Sequence, residues 1–241
     1  MSYLSIAGPD GHFDAYLSVP VRGRGPGLVL LQYICGVNQV MRDIADDFAA
    51  QGYVVLVPDL YWRHGRRITL IDQPAHATPE EQARALELNQ LFDDEAATRD
   101  LRATLETLRM NECCDGRTGA LGFCLGGRLA YLMATRTDVD CAVGYYAVNL
   151  QNYLSEAPHI RRPLLLHMAA QDMLVPPEMR ARICDALQAH PQVDIRVYPE
   201  VNHAFALVGG PNHHPATAAK ANDATANFLA RHLPVVVPTR T

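Results

Sequence analysis

The feature that most constrains the fold of this chain is an alternation. Short apolar runs of strand length recur between longer segments whose apolar residues fall at helical spacing. Leu28-Val29-Leu30-Leu31-Gln32 is followed by residues 39–51, which carry one apolar helical face and stop at Gly52, a residue suited to ending a helix. Val54-Val55-Leu56-Val57-Pro58-Asp59 comes next, then helical segments over 79–92 and 94–110. The alternation continues with strand 118–123 and helix 125–135, strands 140–146 and 163–168, helix 177–189, strand 193–198 and an alanine-rich helix over 215–232. Apolar runs joined by helices predict a mostly parallel sheet with helices on both faces. Only the first 20 residues depart from this. Their weak alternation through His12-Phe13-Asp14-Ala15-Tyr16-Leu17-Ser18-Val19 predicts an antiparallel hairpin at the sheet edge. No repeat, linker or composition break interrupts the chain. Residues 1–241 therefore read as a single α/β domain with a loosely held tail at 234–241.

Composition enters through what it excludes. The net charge is −5 with no basic stripe, so a nucleic-acid partner has no electrostatic support. No apolar run approaches the roughly 18–20 residues that a membrane span needs, so no membrane partner is expected. Met1 to Asp10 lacks the basic-then-apolar order of a secretory leader. Six cysteines, at 35, 113, 114, 124, 141 and 184, form no C-x-x-C pair and read as reduced thiols, which predicts a cytoplasmic protein. Cys113 and Cys114 are too cramped to share a tetrahedral metal, and His213-His214 reads as a solvated loop, so neither metal nor cofactor is expected. The expected state is a monomer or a small homo-oligomer.

Gly122-Phe123-Cys124-Leu125-Gly126-Gly127 lies where a strand runs directly into a helix, the setting of a G-x-S-x-G nucleophile elbow with cysteine in place of serine. So sharp a turn needs small residues on either side of the nucleophile. The sulfur then stands at a helix N-terminus, where the dipole favours a thiolate. Alone, the motif describes a buried cysteine in a glycine-rich turn equally well. Two further residues tip the balance. Asp172 falls just beyond strand 163–168, and His203 in the loop after strand 193–198. Nucleophile, acid and histidine thus follow in the order of α/β-hydrolases, each beyond a strand's carboxyl end. In such a triad His203 takes the Cys124 proton and Asp172 orients the imidazole. The backbone N–H groups of Leu125 and of Ile34, in the loop after strand 28–32, would receive a developing oxyanion.

Further segments carry a family resemblance: Gln32-Tyr33-Ile34-Cys35-Gly36-Val37-Asn38, Pro58-Asp59-Leu60-Tyr61, the elbow itself, Val143-Gly144-Tyr145-Tyr146, His167-Met168 with Gln171-Asp172, and His203-Ala204-Phe205. In this order and across nearly the whole chain they resemble the dienelactone hydrolase (carboxymethylenebutenolidase) family. The resemblance implies an α/β-hydrolase fold and a Cys124-His203-Asp172 triad with its oxyanion hole. It also places Tyr33, Cys35 and Tyr146 in the substrate pocket. Three departures from the family involve four positions. Tyr33 replaces a glutamate that contacts the resting thiol, Cys35 replaces an aromatic, and Gln82 and Leu207 stand where two arginines bind the substrate carboxylate. Without that clamp a neutral or differently charged ester or lactone is the expected substrate, unless Arg84 or the Arg63–Arg67 loop compensates. With Tyr33 in place of glutamate, Cys124 is expected to rest as a thiolate paired with His203. The long segment 58–78 is a candidate lid. The expected protein is a hydrolase working through an acyl-thioenzyme. The alternative is a ligand-binding or sensing protein on a hydrolase scaffold with little turnover.

Overall fold

The computed structural model describes residues 2–21, 23–72 and 74–236. Eight strands form one sheet: β1 (Ser2–Gly8), β2 (Gly11–Ser18), β3 (Gly25–Leu31), β4 (Val54–Pro58), β5 (Cys114–Phe123), β6 (Cys141–Tyr145), β7 (Leu164–Ala169) and β8 (Val193–Tyr198). Their spatial order is β1-β2-β4-β3-β5-β6-β7-β8. The hairpin β1–β2 joins antiparallel to β4 at one edge, and β4 to β8 run parallel. The helices are α1 (Gln39–Ala50), α2 (Pro79–Gln90), α3 (Asp94–Met110), α4 (Leu125–Arg136), α5 (Pro177–Leu187) and α6 (Pro215–His232). An α/β-hydrolase fold with a mostly parallel sheet is therefore established.

Alternate residues of a strand face opposite sides, and each side of this sheet has its own core. Leu28, Leu30, Val55 and Val57 meet Met41 and Ala45 of α1 and Ala221 and Leu229 of α6. Val29, Leu31 and Leu56 meet Leu101 and Leu105 of α3, Leu129 of α4 and Ile183 of α5. Covering on both faces is why the central strands are apolar at every position rather than at alternate ones. Each such side chain contributes roughly 1.5–3 kcal/mol on full burial. Strand register then organises the site. Leu31 lies opposite Gly122, Phe123 opposite Tyr145, and Tyr145 opposite His167, so the residues that follow these strands emerge along one edge.

Several elements differ from expectation. Strand β5 begins at Cys114 rather than 118, and a run of 3-10 turns at Leu150–His159 precedes β7. Neither carries an apolar period that a sequence would display. Of the tail, Val235 packs partly against the core beside Gly52, and residues 237–241 lie outside the described residues.

Segment 58–78 is more structured than a free lid. It contains 3-10 turns at Trp62–His64 and Pro74–His76, and Thr69 bridges to Gly36. Arg66 and Arg67 pair with Asp14, and Arg63 with Asp10 and Asp100. The buried Asp59 carboxylate accepts the backbone N–H groups of Tyr61 (3.1 Å) and Arg67 (2.7 Å). Among the described residues no helix is long and apolar enough to cross a membrane.

Candidate active site

Cys124 occupies the turn between β5 and α4 at φ 57° and ψ −113°, a conformation that costs a non-glycine residue about 1–3 kcal/mol. The surroundings hold it there. Its N–H donates to the Tyr145 carbonyl (3.0 Å), and its carbonyl accepts from the N–H groups of Arg128 (3.2 Å) and Val148 (3.4 Å). The flanking glycines are required by contact. A methyl group at Gly122 would collide with the Gly126 carbonyl, and one at Gly126 with the Leu31 carbonyl. Cys124 is 7% exposed, at the N-terminus of α4.

His203 and Asp172 converge on it. His203 Nδ1 lies 2.8 Å from Asp172 Oδ2, which leaves Nε2 for the Cys124 sulfur. The other Asp172 oxygen accepts the Leu174 N–H at 2.8 Å. Asn202 Oδ1 accepts both the His203 N–H (2.7 Å) and the Met173 N–H (3.3 Å), joining the loop that carries the histidine to the loop that carries the aspartate. Burial opposes a charge on the His203 ring. Its hydrogen bonds to Asp172 and to the Cys124 sulfur outweigh that penalty and carry its pKa up to about 10. The imidazolium is therefore the favoured form at neutral pH.

The loop after β3 carries Ile34, and Leu125 opens α4. Segment 60–71 buttresses the first of these. The Tyr61 hydroxyl donates to the Ile34 carbonyl (3.1 Å), the Leu60 N–H to Gln32 Oε1 (3.1 Å) and the Leu70 N–H to the Cys35 carbonyl (3.0 Å). Asn38 caps α1 through Oδ1, while its amide donates to the Tyr33 hydroxyl (2.6 Å) and the Ile71 carbonyl (2.9 Å). Tyr33, Cys35 and Tyr146 are all buried around Cys124. Burial pushes the Cys35 thiol up to about 12, so it is neutral, and raises Tyr33 further still. Tyr146 has φ 36°, its ring meets that of His203 edge-on at 5.0 Å, and its buried hydroxyl has no partner among the described residues.

The arginines sought as a substitute clamp are committed elsewhere. Arg84 pairs with Glu87 on α2 (2.6 Å), and Arg63, Arg66 and Arg67 turn to Asp100, Asp10 and Asp14. Gln82 is exposed, and Leu207 is 6% exposed within the core. His214 caps α6 by accepting the Thr217 N–H.

His167, in the sequence only part of a family segment, heads a buried network. Fully buried in β7, it takes Tyr198 Oη on Nδ1 (2.9 Å) and Thr225 Oγ1 on Nε2 (2.9 Å), and Thr225 continues to Tyr145 Oη (2.6 Å) and thence to Asn222 Oδ1 (3.1 Å). Burial drives His167 down to about 3, so the ring is neutral. Because Asn222 Oδ1 can only accept, the donors run in one direction, from Tyr198 through His167 and Thr225 to Tyr145. The His167 carbonyl accepts the Tyr146 N–H at 2.7 Å, which ties this network to Tyr146. A histidine in an otherwise apolar strand was the one available signal.

The sheet, the elbow and the converging side chains define an α/β-hydrolase. The model of the dienelactone hydrolase family matches residues 13–233. A protein of Azospirillum brasilense, provisionally named a carboxymethylenebutenolidase, is 43% identical over 236 residues, 97% of this chain and 100% of its own. A carboxymethylenebutenolidase of Pseudomonas putida is 37% identical over 228 residues, 94% of this chain and 95% of its own. The crystal structure of a Klebsiella pneumoniae protein, provisionally named a dienelactone hydrolase, superposes with a TM-score of 0.79 at 26% identity, covering 95% of this chain and 96% of that one. This chain belongs to the dienelactone hydrolase family.

Proposed function

We propose that the protein hydrolyses a small, neutral ester or lactone through a cysteine nucleophile. The observation that carries this is the contact of His203 with both Asp172, at 2.8 Å, and the sulfur of a strained elbow residue, Cys124. The Cys124 thiolate attacks the carbonyl carbon, and the N–H groups of Ile34 and Leu125 receive the oxyanion. Collapse expels the alkoxide, which takes the proton of the His203 imidazolium; in a lactone it remains tethered to the acyl group. Neutral His203 then deprotonates a water that cleaves the acyl-thioenzyme and restores the thiolate. Asp172 holds the imidazole in the tautomer both steps need. The scheme uses no metal or cofactor.

Two relatives are named carboxymethylenebutenolidase, one of them provisionally, which supports a lactone as the substrate class. The described residues offer no uncommitted guanidinium at the positions considered for a clamp, which supports neutrality. Tyr33, Cys35 and Tyr146 form the wall that meets the substrate's body. We place the protein in the cytoplasm, as a single domain over 1–241 and a monomer or small homo-oligomer. Its cysteines are all unpaired, as that compartment requires.

The test is burst kinetics with p-nitrophenyl acetate and a neutral enol lactone, wild type beside Cys124→Ala. A burst near one equivalent, abolished by the substitution, is expected. Turnover that survives in Cys124→Ala overturns the thiol mechanism. Saturable lactone binding without Cys124-dependent turnover would mark a sensor on a hydrolase scaffold.

A further inference from the structure

Between α1 and α6 the sheet face is left partly uncovered, and a cleft of about 350 Å³ opens there that none of Cys124, His203 or Asp172 lines. Its origin is in the sequence of α6. The residues this helix buries are mostly Ala218, Ala221 and Ala224, too short to reach across to α1. Phe123 and Tyr145 form part of the floor, Ile44 and Phe48 of α1 one wall, and Thr225 and Ala226 of α6 the other.

The lining is apolar except at defined places. Asp43 and Asp47, one turn apart on α1 and both exposed, carry carboxylates at the lip. Asp43 accepts only from the Gln39 amide (2.6 Å), and the Asp47 side chain has no hydrogen bond or ion pair among the described residues. Among the described residues no Lys, Arg or His lines the cleft to balance them. The ring of Phe48, on the same helix as the two carboxylates, adds a surface that attracts a cation. A volume of this size suits a compact ligand, since small-molecule sites begin near about 300 Å³.

We propose that this cleft binds a small primary amine with an aromatic or short aliphatic body. The apolar part fills the space against Phe123, Ile44 and Phe48, and the ammonium lies at the lip between Asp43 and Asp47. The site is independent of the hydrolytic reading, because the two share no catalytic side chain.

Three probes of one shape test it: phenethylamine, 2-phenylethanol and phenylacetate. Binding is measured by calorimetry on protein whose Cys124 has been alkylated, so the catalytic pocket is blocked. The expected order is amine, then alcohol, then carboxylate, with the amine at least about fivefold tighter than the alcohol. Ala226→Phe should fill the cleft and abolish amine binding. The double variant Asp43→Asn, Asp47→Asn, altered only at exposed positions, should bring the amine down to the level of the alcohol. Equal binding of all three probes overturns the proposal. So does an amine affinity unchanged in the double variant, or the lack of saturable amine binding in the millimolar range.

Discussion

At the scale of single residues, the pairing of Cys124 with a histidine raised to about 10 has a direct chemical consequence. The His203 ring is hydrogen-bonded to the sulfur and supports it as a nucleophile, so His203→Gln should slow iodoacetamide alkylation of Cys124 at pH 7 by about tenfold or more. An equal rate in the two proteins would remove His203 from the activation of the thiol. Stability carries the same sign. The folded-state value of His203 lies above its ordinary 6.5, so its contribution is fully present below about pH 6.5 and is lost as pH rises toward 10. Thermal unfolding should therefore show the gap between wild type and His203→Gln shrinking from pH 7 to pH 10. Cys124, Asp172 and His203 were legible in the sequence because each follows a recognisable strand by a short, fixed interval. His167 was not. Its partners Tyr198 and Thr225 lie 31 and 58 residues away, and a buried histidine reads like a solvated one until those partners are known.

At the scale of elements, Thr225 joins α6 to β7 and β6 through a single hydroxyl. Thr225→Val keeps the shape but leaves His167 Nε2 and Tyr145 Oη without their partner in a buried site. It should cost about 1–3 kcal/mol in urea unfolding, while Thr225→Ser stays near wild type. Segment 60–71 makes the complementary case. Burial pushes Asp59 up to about 6, against the pull of the Arg67 and Tyr61 N–H groups. A carboxyl raised in the folded state contributes stability when protonated and loses it as pH rises through about 6. Asp59→Asn should therefore flatten stability between pH 4 and 6, measured by thermal unfolding; an unchanged slope would show that Asp59 does not titrate there. The helices and central strands were legible because their apolar period is local. This segment was not, because side-chain-to-backbone bonds such as Tyr61 to Ile34 and Asn38 to Ile71 hold it, and these leave no period in the chain.

At the scale of the whole molecule, the proposed preference for a neutral substrate is a matter of charge. The chain carries a net charge of −5, and the four arginines considered for a clamp are spent on carboxylates of β2, α2, α3 and the β1–β2 turn. On the proposed reading a substrate carboxylate finds no arginine clamp, and it approaches a molecule whose net charge repels it. The kcat/KM values for a neutral enol lactone and its carboxylated analogue should then lie within about tenfold of each other, with the neutral compound favoured at low salt. Raising ionic strength should lift the rate for the carboxylated compound by screening that repulsion and leave the neutral one unchanged. A preference of about 10³ for the carboxylated lactone, falling as salt is added, would mean that a cation does reach the substrate. The direction of the salt dependence separates the two cases even where the rates themselves are close, because repulsion and attraction are screened with opposite effect on encounter.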